Sequence, residues 1–122
     1  KDMGSARILY DQDLQLNQEF LKADPDDPER LMSMSICYER VGDFEVASGQ
    51  PEKALELYRQ ELEVTVKAVE GDPKNRKYQQ ELNMPLRKLT NLLHQLKRDA
   101  EAKAVEETVA ETLRRVQSQQ SK

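Results

Sequence analysis

Apolar residues recur at intervals of three and four along almost the whole chain, and the interruptions fall at proline and glycine. That spacing gathers apolar side chains on one side of a helix, so it predicts a series of amphipathic helices. Helix one is expected over 5–23, with Ser5 as its N-cap and Leu9, Leu14, Leu16, Phe20 and Leu21 as its apolar face. Asp24–Pro25–Asp26–Asp27–Pro28–Glu29 then ends one helix and starts another. Asp27 is placed to cap helix two, and Pro28 suits its first position, where no intrahelical N–H bond is needed. Helix two is expected over 28–47 on Leu31, Met34, Tyr38, Val41 and Phe44. Gly49 offers a left-handed stop, and Pro51 restarts the chain as helix three over 51–70, carried by Ala54, Leu57, Tyr58, Leu62, Val66 and Val69. Gly71–Asp72–Pro73 ends it. Helix four is expected over 75–97 on Tyr78, Leu82, Leu86, Leu89, Leu92, Leu93 and Leu96, with Pro85 bending or splitting it near 82–84. Helix five starts near Asp99 and frays towards Gln117, leaving 118–122 as a disordered tail.

Composition agrees with an all-α chain of one domain. Glu, Lys, Leu, Ala, Gln and Arg dominate the 122 residues, and 34% of them are charged. These side chains lose little freedom in a helix. The net charge of −4 is spread in both signs along the chain, so no basic face points to nucleic acid. No apolar run approaches the roughly 20 residues of a membrane span. Cys37 stands alone, which permits no internal disulfide and leans towards a reducing compartment, the cytoplasm. The opening Lys1–Asp2–Met3–Gly4–Ser5 reads as an expression remnant or as the interior of a longer protein.

The chain also resembles itself at a shift of 48 residues. Ala6, Leu9, Tyr10, Leu14, Leu21, Asp24 and Pro25 fall on Ala54, Leu57, Tyr58, Leu62, Val69, Asp72 and Pro73. Ala54 and Leu57 fall again on Ala102 and Val105, and Val41 and Phe44 fall on Leu89 and Leu92. The pattern is a half unit over 5–24, a full helix pair over 28–71 and a divergent pair over 75–117. One pair is too small to hide its apolar stripe, and stacking pairs makes a continuous core. Small residues Gly42, Ala47 and Ala54 are expected to let paired helices approach, with Tyr58 filling the gap between pairs.

Val41–Gly42, Gly49, Ala54 and Tyr58, with Tyr38 three residues before Val41, stand at the relative spacing of the tetratricopeptide repeat. The chain resembles a long, bacterial variant of that family, with Gly42–Asp43 in the first helix and Asp24–Pro25 and Asp72–Pro73 between units. The resemblance implies five antiparallel helices at the start of a right-handed α-solenoid, working as a non-catalytic protein-binding module or scaffold. In the last unit Thr90 replaces the paired-helix glycine, Lys97 the turn glycine and Glu106 the aromatic residue. That marks helix five as a capping helix with a polar outer face.

Candidate chemistry is sparse. His94 is the only histidine and reads as a surface or groove residue, and Cys37 reads as a small buried hydrophobe. The acidic 24–29 linker lacks the glycine and terminal Glu of a calcium loop. Lys74–Asn75–Arg76–Lys77 reads as a solvated turn. No phosphate loop or nucleophile elbow occurs, so neither an enzyme nor a cofactor or metal is expected. In stacked helix pairs the first helices line the concave face, here helices two and four. Matching Tyr38 to Leu86 puts Glu39, Asp43 and Val46 on that face in one unit and Arg87, Asn91 and His94 or Gln95 in the next. The family resemblance gives Arg87 and Asn91 the spacing of a pair that holds a peptide carboxylate, while Glu39 and Asp43 make the adjoining unit acidic. The expected partner is a protein or peptide. Self-association through exposed terminal helices, or service as a regulatory or sensor segment of a larger protein, are the alternatives.

Overall fold

The computed structural model describes residues 3–120. They form α1 (Met3–Ala23), α2 (Pro28–Ala47), α3 (Pro51–Gly71), α4 (Arg76–Glu81), α5 (Asn83–Gln95) and α6 (Asp99–Gln120). No strand occurs among the described residues, and no described helix is long and apolar enough to cross a membrane. The expected fourth helix is α4 and α5 together, broken at Leu82. There the Leu82 amide donates three residues back to the Gln79 carbonyl, and Pro85, which has no amide hydrogen, cannot bond to Glu81.

Helix ends follow from the linker chemistry. The Asp27 carboxylate accepts from the Glu29 amide at 3.1 Å, and Pro28 opens α2. One repeat later, Asn75 Oδ1 accepts from the Tyr78 amide at 3.1 Å and caps α4. α2 closes with Gly49 at φ 75°, where the Gln50 amide reaches the Glu45 carbonyl at 2.8 Å. α5 closes with the same bond, Arg98 to Leu93 at 2.8 Å, but the left-handed residue is Lys97 at φ 61°. Two expectations fail at the ends. α1 is already helical at Met3, so Ser5 is not its cap. α6 continues to Gln120 instead of fraying at Gln117: no Gly or Pro interrupts it, and buried Val116 holds its last turns to the core. Residues 121 and 122 of the expected tail lie outside the described residues.

The helices stack in chain order. Gly42 faces Tyr58 and Ser35 faces Thr65, so α2 and α3 run antiparallel. Arg7 meets Glu45 while Cys37 meets Asp13, so α1 and α2 do the same. Helices one unit apart lie side by side and parallel. Asp43 of α2 meets Lys88 of α5, and Glu70 of α3 meets Arg115 of α6, each across 45 residues of sequence. The buried positions repeat with the sequence: Met34, Val41 and Gly42 on α2 match Leu82, Leu89 and Thr90 at and beyond the α4–α5 break.

The core runs from Ala54, Leu55, Tyr58, Leu62 and Val69 on α3 through Leu89, Leu92 and Leu93 on α5 to Ala102, Val109 and Val116 on α6. α6 buries that one stripe and exposes Lys103, Glu106, Glu107 and Arg114 on its polar face. A Cβ on Gly42 would stand 2.6 Å from the Tyr58 ring, so glycine is what lets α2 and α3 close on each other. Ala54 is fully buried in the core, but Ala47 is exposed at the end of α2 and takes no part. On α1, Leu14 and Leu21 are half-buried, whereas Leu9, Leu16 and Phe20 are exposed. The five leucine and phenylalanine positions therefore split into two faces, of which only one is covered. The α3 counterparts of the exposed three, Leu57, Val64 and Ala68, are half-buried or buried.

Candidate functional site

The side-by-side placement of α2 and α4–α5 opens a pocket of about 390 Å³ on the face formed by these first helices of each pair. One wall carries Met32, Ser35, Ile36 and Glu39 of α2; the other carries Lys77, Tyr78 and Glu81 of α4 with Met84 and Pro85 of α5. Ile36 and Met84 are half-exposed large apolar residues, one on each wall. Glu61 of α3 belongs to the same lining, although only 2% of it is exposed, so it forms the floor.

Glu61 is held there by its neighbours along α3. Thr65 donates to the Glu61 carbonyl at 2.8 Å and shares a 2.9 Å hydrogen bond with Ser35, which pins this turn to α2. Tyr58, three residues earlier, is fixed against Gly42. The Glu61 side chain itself is not satisfied: Oε1 is buried and has no hydrogen-bond partner among the described residues. Burial pushes its pKa up to about 8, the negative charges of Glu39 and Asp43 push the same way, and Lys88 opposes them. At neutral pH the floor of the pocket is therefore mostly a protonated acid.

Beside the pocket, Lys88 of α5 reaches back to α2. Its Nζ donates to both oxygens of Asp43 at 2.8 and 2.7 Å and stands 3.5 Å from Glu39 Oε2. The Tyr58 hydroxyl donates to Asp43 Oδ1 at 2.5 Å, and burial and that carboxylate together raise the phenol's pKa. Glu39 and Asp43 thus occupy the expected face, Glu39 within the pocket and Asp43 beside it. Arg87, Asn91 and Gln95 form no side-chain bond among the described residues and lie outside the pocket lining. His94 pairs with Asp99 at 2.6 Å across the α5–α6 turn, and Val46 is exposed. Lys88 joins Glu39 and Asp43, and none of the other four expected site residues bonds to either among the described residues.

Two residues of the site escape a reading of the sequence. Glu61 reads as an ordinary charged residue of an amphipathic helix, yet Ala54, Tyr58, Glu61, Thr65 and Ala68 form one stripe at spacings of three and four. That stripe is the available signal. Lys88 partners α2 where matching by repeat points to Arg87. It follows buried Pro85 by three residues and so shares its side of α5.

Other titratable groups do different work. Cys37 is buried and donates to Asp13 Oδ2 at 3.6 Å; burial and the Asp13 charge push its thiol up to about 11, which makes it a poor nucleophile. Glu45 is buried on the opposite side of α2, paired with Arg7 at 2.6 Å. Arg7 also lies over the Phe44 ring, which packs on Tyr10, so this cluster locks α1 to α2. Among the described residues no His, Cys, Asp and Glu side chains are grouped to hold a metal ion. An apolar groove of about 420 Å³ between α3 and α6 carries Leu62, Val66, Val105 and Val109, but no buried polar atom in its lining lacks a partner.

No protein-family model matches the chain, and neither does any curated protein or solved structure.

Proposed function

We propose that this chain is a non-catalytic protein–protein interaction module, built of tetratricopeptide-like helix pairs, that binds a peptide or helix in the groove between α2 and α4–α5. The observation that carries the reading is the pocket itself. Half-exposed Ile36 and Met84 face it from opposite walls, and it is set among the polar groups Glu39, Glu61, Lys77 and Glu81. Apolar walls with a few placed polar groups suit an extended or helical segment, with the apolar contacts supplying affinity and the polar groups orientation. Arg87, Asn91, His94 and Gln95 lie further along α5 and would meet a longer partner. Such a module needs no cofactor, and lone, buried Cys37 suits the cytoplasm.

The test is selection of binding peptides from a random 12-residue display library, followed by affinity measurement. Ile36→Asp with Met84→Asp is expected to weaken the selected peptides at least tenfold. Undiminished binding would remove the groove from consideration. Arg87→Ala with Asn91→Ala reports whether contact extends along α5.

A second reading rests on α1. Leu9, Leu16 and Phe20 share an exposed face, with Leu9 66% exposed, and such a stripe favours self-association. Sedimentation equilibrium should then give a mass that rises with concentration and returns to the monomer in Leu9→Glu with Leu16→Glu. A constant monomer mass in the unchanged chain rejects this reading.

A further inference from the structure

The groove reading leaves the chemistry of its occupant open, and the floor of the pocket narrows it. A buried carboxyl group with an unpartnered oxygen is costly to maintain, because burying a polar atom without a hydrogen bond loses its hydration for nothing. Helix three could carry an apolar residue there, as α6 does with Val109 at the equivalent position one repeat later. The surroundings of Glu61 are also acidic. Glu39 and Glu81 belong to the same lining against one cation, Lys77, Asp43 adds its charge from beside it, and Lys88 is already engaged by Asp43 and Glu39. Among the described residues the carboxylates are not grouped for a metal ion, and each wall carries a half-exposed apolar side chain, Ile36 on one and Met84 on the other, beside its polar groups. A long aliphatic stem ending in a cation meets both features: the stem lies on hydrocarbon and the head reaches the acids.

Resting on the groove reading, we propose that the pocket takes the basic side chain of a partner peptide, a lysine or arginine whose stem lies against Ile36 and Met84 and whose cationic head meets Glu61 and Glu39. Binding then converts Glu61 from acid to carboxylate, with its proton released to solvent, so affinity for the cation rises with pH up to about 8. The ionisable groups facing Glu61 are Glu39 and Asp43 from α2, Tyr58 from α3, Lys77, Tyr78 and Glu81 from α4, and Lys88 from α5. None is a histidine, the side chain that ordinarily changes charge between pH 6 and 8.

The test uses the whole chain with methyl-labelled methionine, observed by NMR. Met32 and Met84 line the pocket, and fully buried Met34 serves as the internal control. The added molecules are N-acetyl-lysinamide, N-acetyl-argininamide and the uncharged N-acetyl-norleucinamide. The cations are expected to shift Met32 and Met84 but not Met34, to bind at least tenfold more tightly than the norleucine compound at pH 8, and to weaken by close to tenfold per pH unit down to pH 6. Glu61→Gln should lose most of the preference for the cations, keeping only what Glu39 and Glu81 supply, and should lose the pH dependence between pH 6 and 8. Its fold is checked by circular dichroism, and the pH series on the unchanged chain needs no variant. Equal binding of the charged and uncharged compounds, or no response at Met32 and Met84, overturns the proposal. Display-selected peptides separate the two claims. Peptides that shift Met32 and Met84 yet lack a basic residue, and bind Glu61→Gln unchanged, refute the cation and keep the groove. Peptides that leave both methionines unmoved refute both.

Discussion

Burial raises the free energy of a charged carboxylate far more than that of the neutral acid, and at Glu61 this difference ties stability to pH. In the unfolded chain its pKa is near 4.5; in the fold it is about 8. Between those values the native state holds a proton that the unfolded state has lost, so stability from this group is fully present below pH 4.5 and disappears as pH rises through 8. Thermal unfolding should show a melting temperature that declines from pH 5 to 8, by an amount corresponding to a few kcal/mol. Glu61→Gln should flatten that decline; an identical slope in the variant would mean the acid titrates normally. Gly42 makes a second claim at this scale. Gly42→Ala would drive a methyl group into the ring of Tyr58, which is itself 5% exposed and has nowhere to swing. Overpacking of this kind costs about 1–3 kcal/mol, readable in denaturant unfolding. Gly42 and Tyr58 are legible in the sequence because the backbone approach needs a small residue opposite a large one. Glu61 is not, because helical periodicity counts apolar residues and is blind to an acid on the buried stripe.

Whole elements are legible where stop and start signals are local. Asp27 and Asn75 cap α2 and α4 as their residue type dictates, and Pro85 accompanies the break at Leu82. The two helix ends that close on Gly49 and Lys97 share their hydrogen bonds but not their residue. A side chain at positive φ costs about 1 kcal/mol that glycine avoids. Lys97→Gly should therefore raise the melting temperature by a few degrees, in the sense opposite to glycine substitution within a helix; a fall would show that the Lys97 side chain contributes more than its backbone costs. Less legible is which side of each helix finds a partner. Leu9, Leu14, Leu16, Phe20 and Leu21 look alike in sequence, yet only Leu14 and Leu21 are half-buried. Periodicity identifies apolar positions, and neighbours decide which of them are covered. The length of α6 is hidden for a related reason: Ser118 lowers helix propensity without ending the helix, Gln tolerates it, and buried Val116 anchors the last turns.

At the scale of the molecule, one offset organises the contacts. Lys88 with Asp43, Arg98 with Glu52 and Arg115 with Glu70 join residues 45 or 46 apart, so like helices of successive units lie alongside each other. Pairs of this kind are screened by solvent and individually weak, so they set alignment while the α3–α5–α6 core supplies the stability. The same stacking that buries the core places α2 beside α4–α5 and creates the pocket over Glu61. The repeat that implies this face is visible in the sequence. Of the residues on it, Glu39 and Asp43 are visible too, but Lys88 is not: it sits one position from the residue that repeat matching selects, and a one-residue step turns a side chain about 100° around a helix. Photo-crosslinking tests the central claim most directly, with p-benzoylphenylalanine in place of Ile36, of Met84 or of Leu9, and a display-selected peptide as partner. Crosslinks from positions 36 and 84 and none from 9 are the predicted result. Crosslinks from position 9 alone would place binding on α1 and contradict the groove.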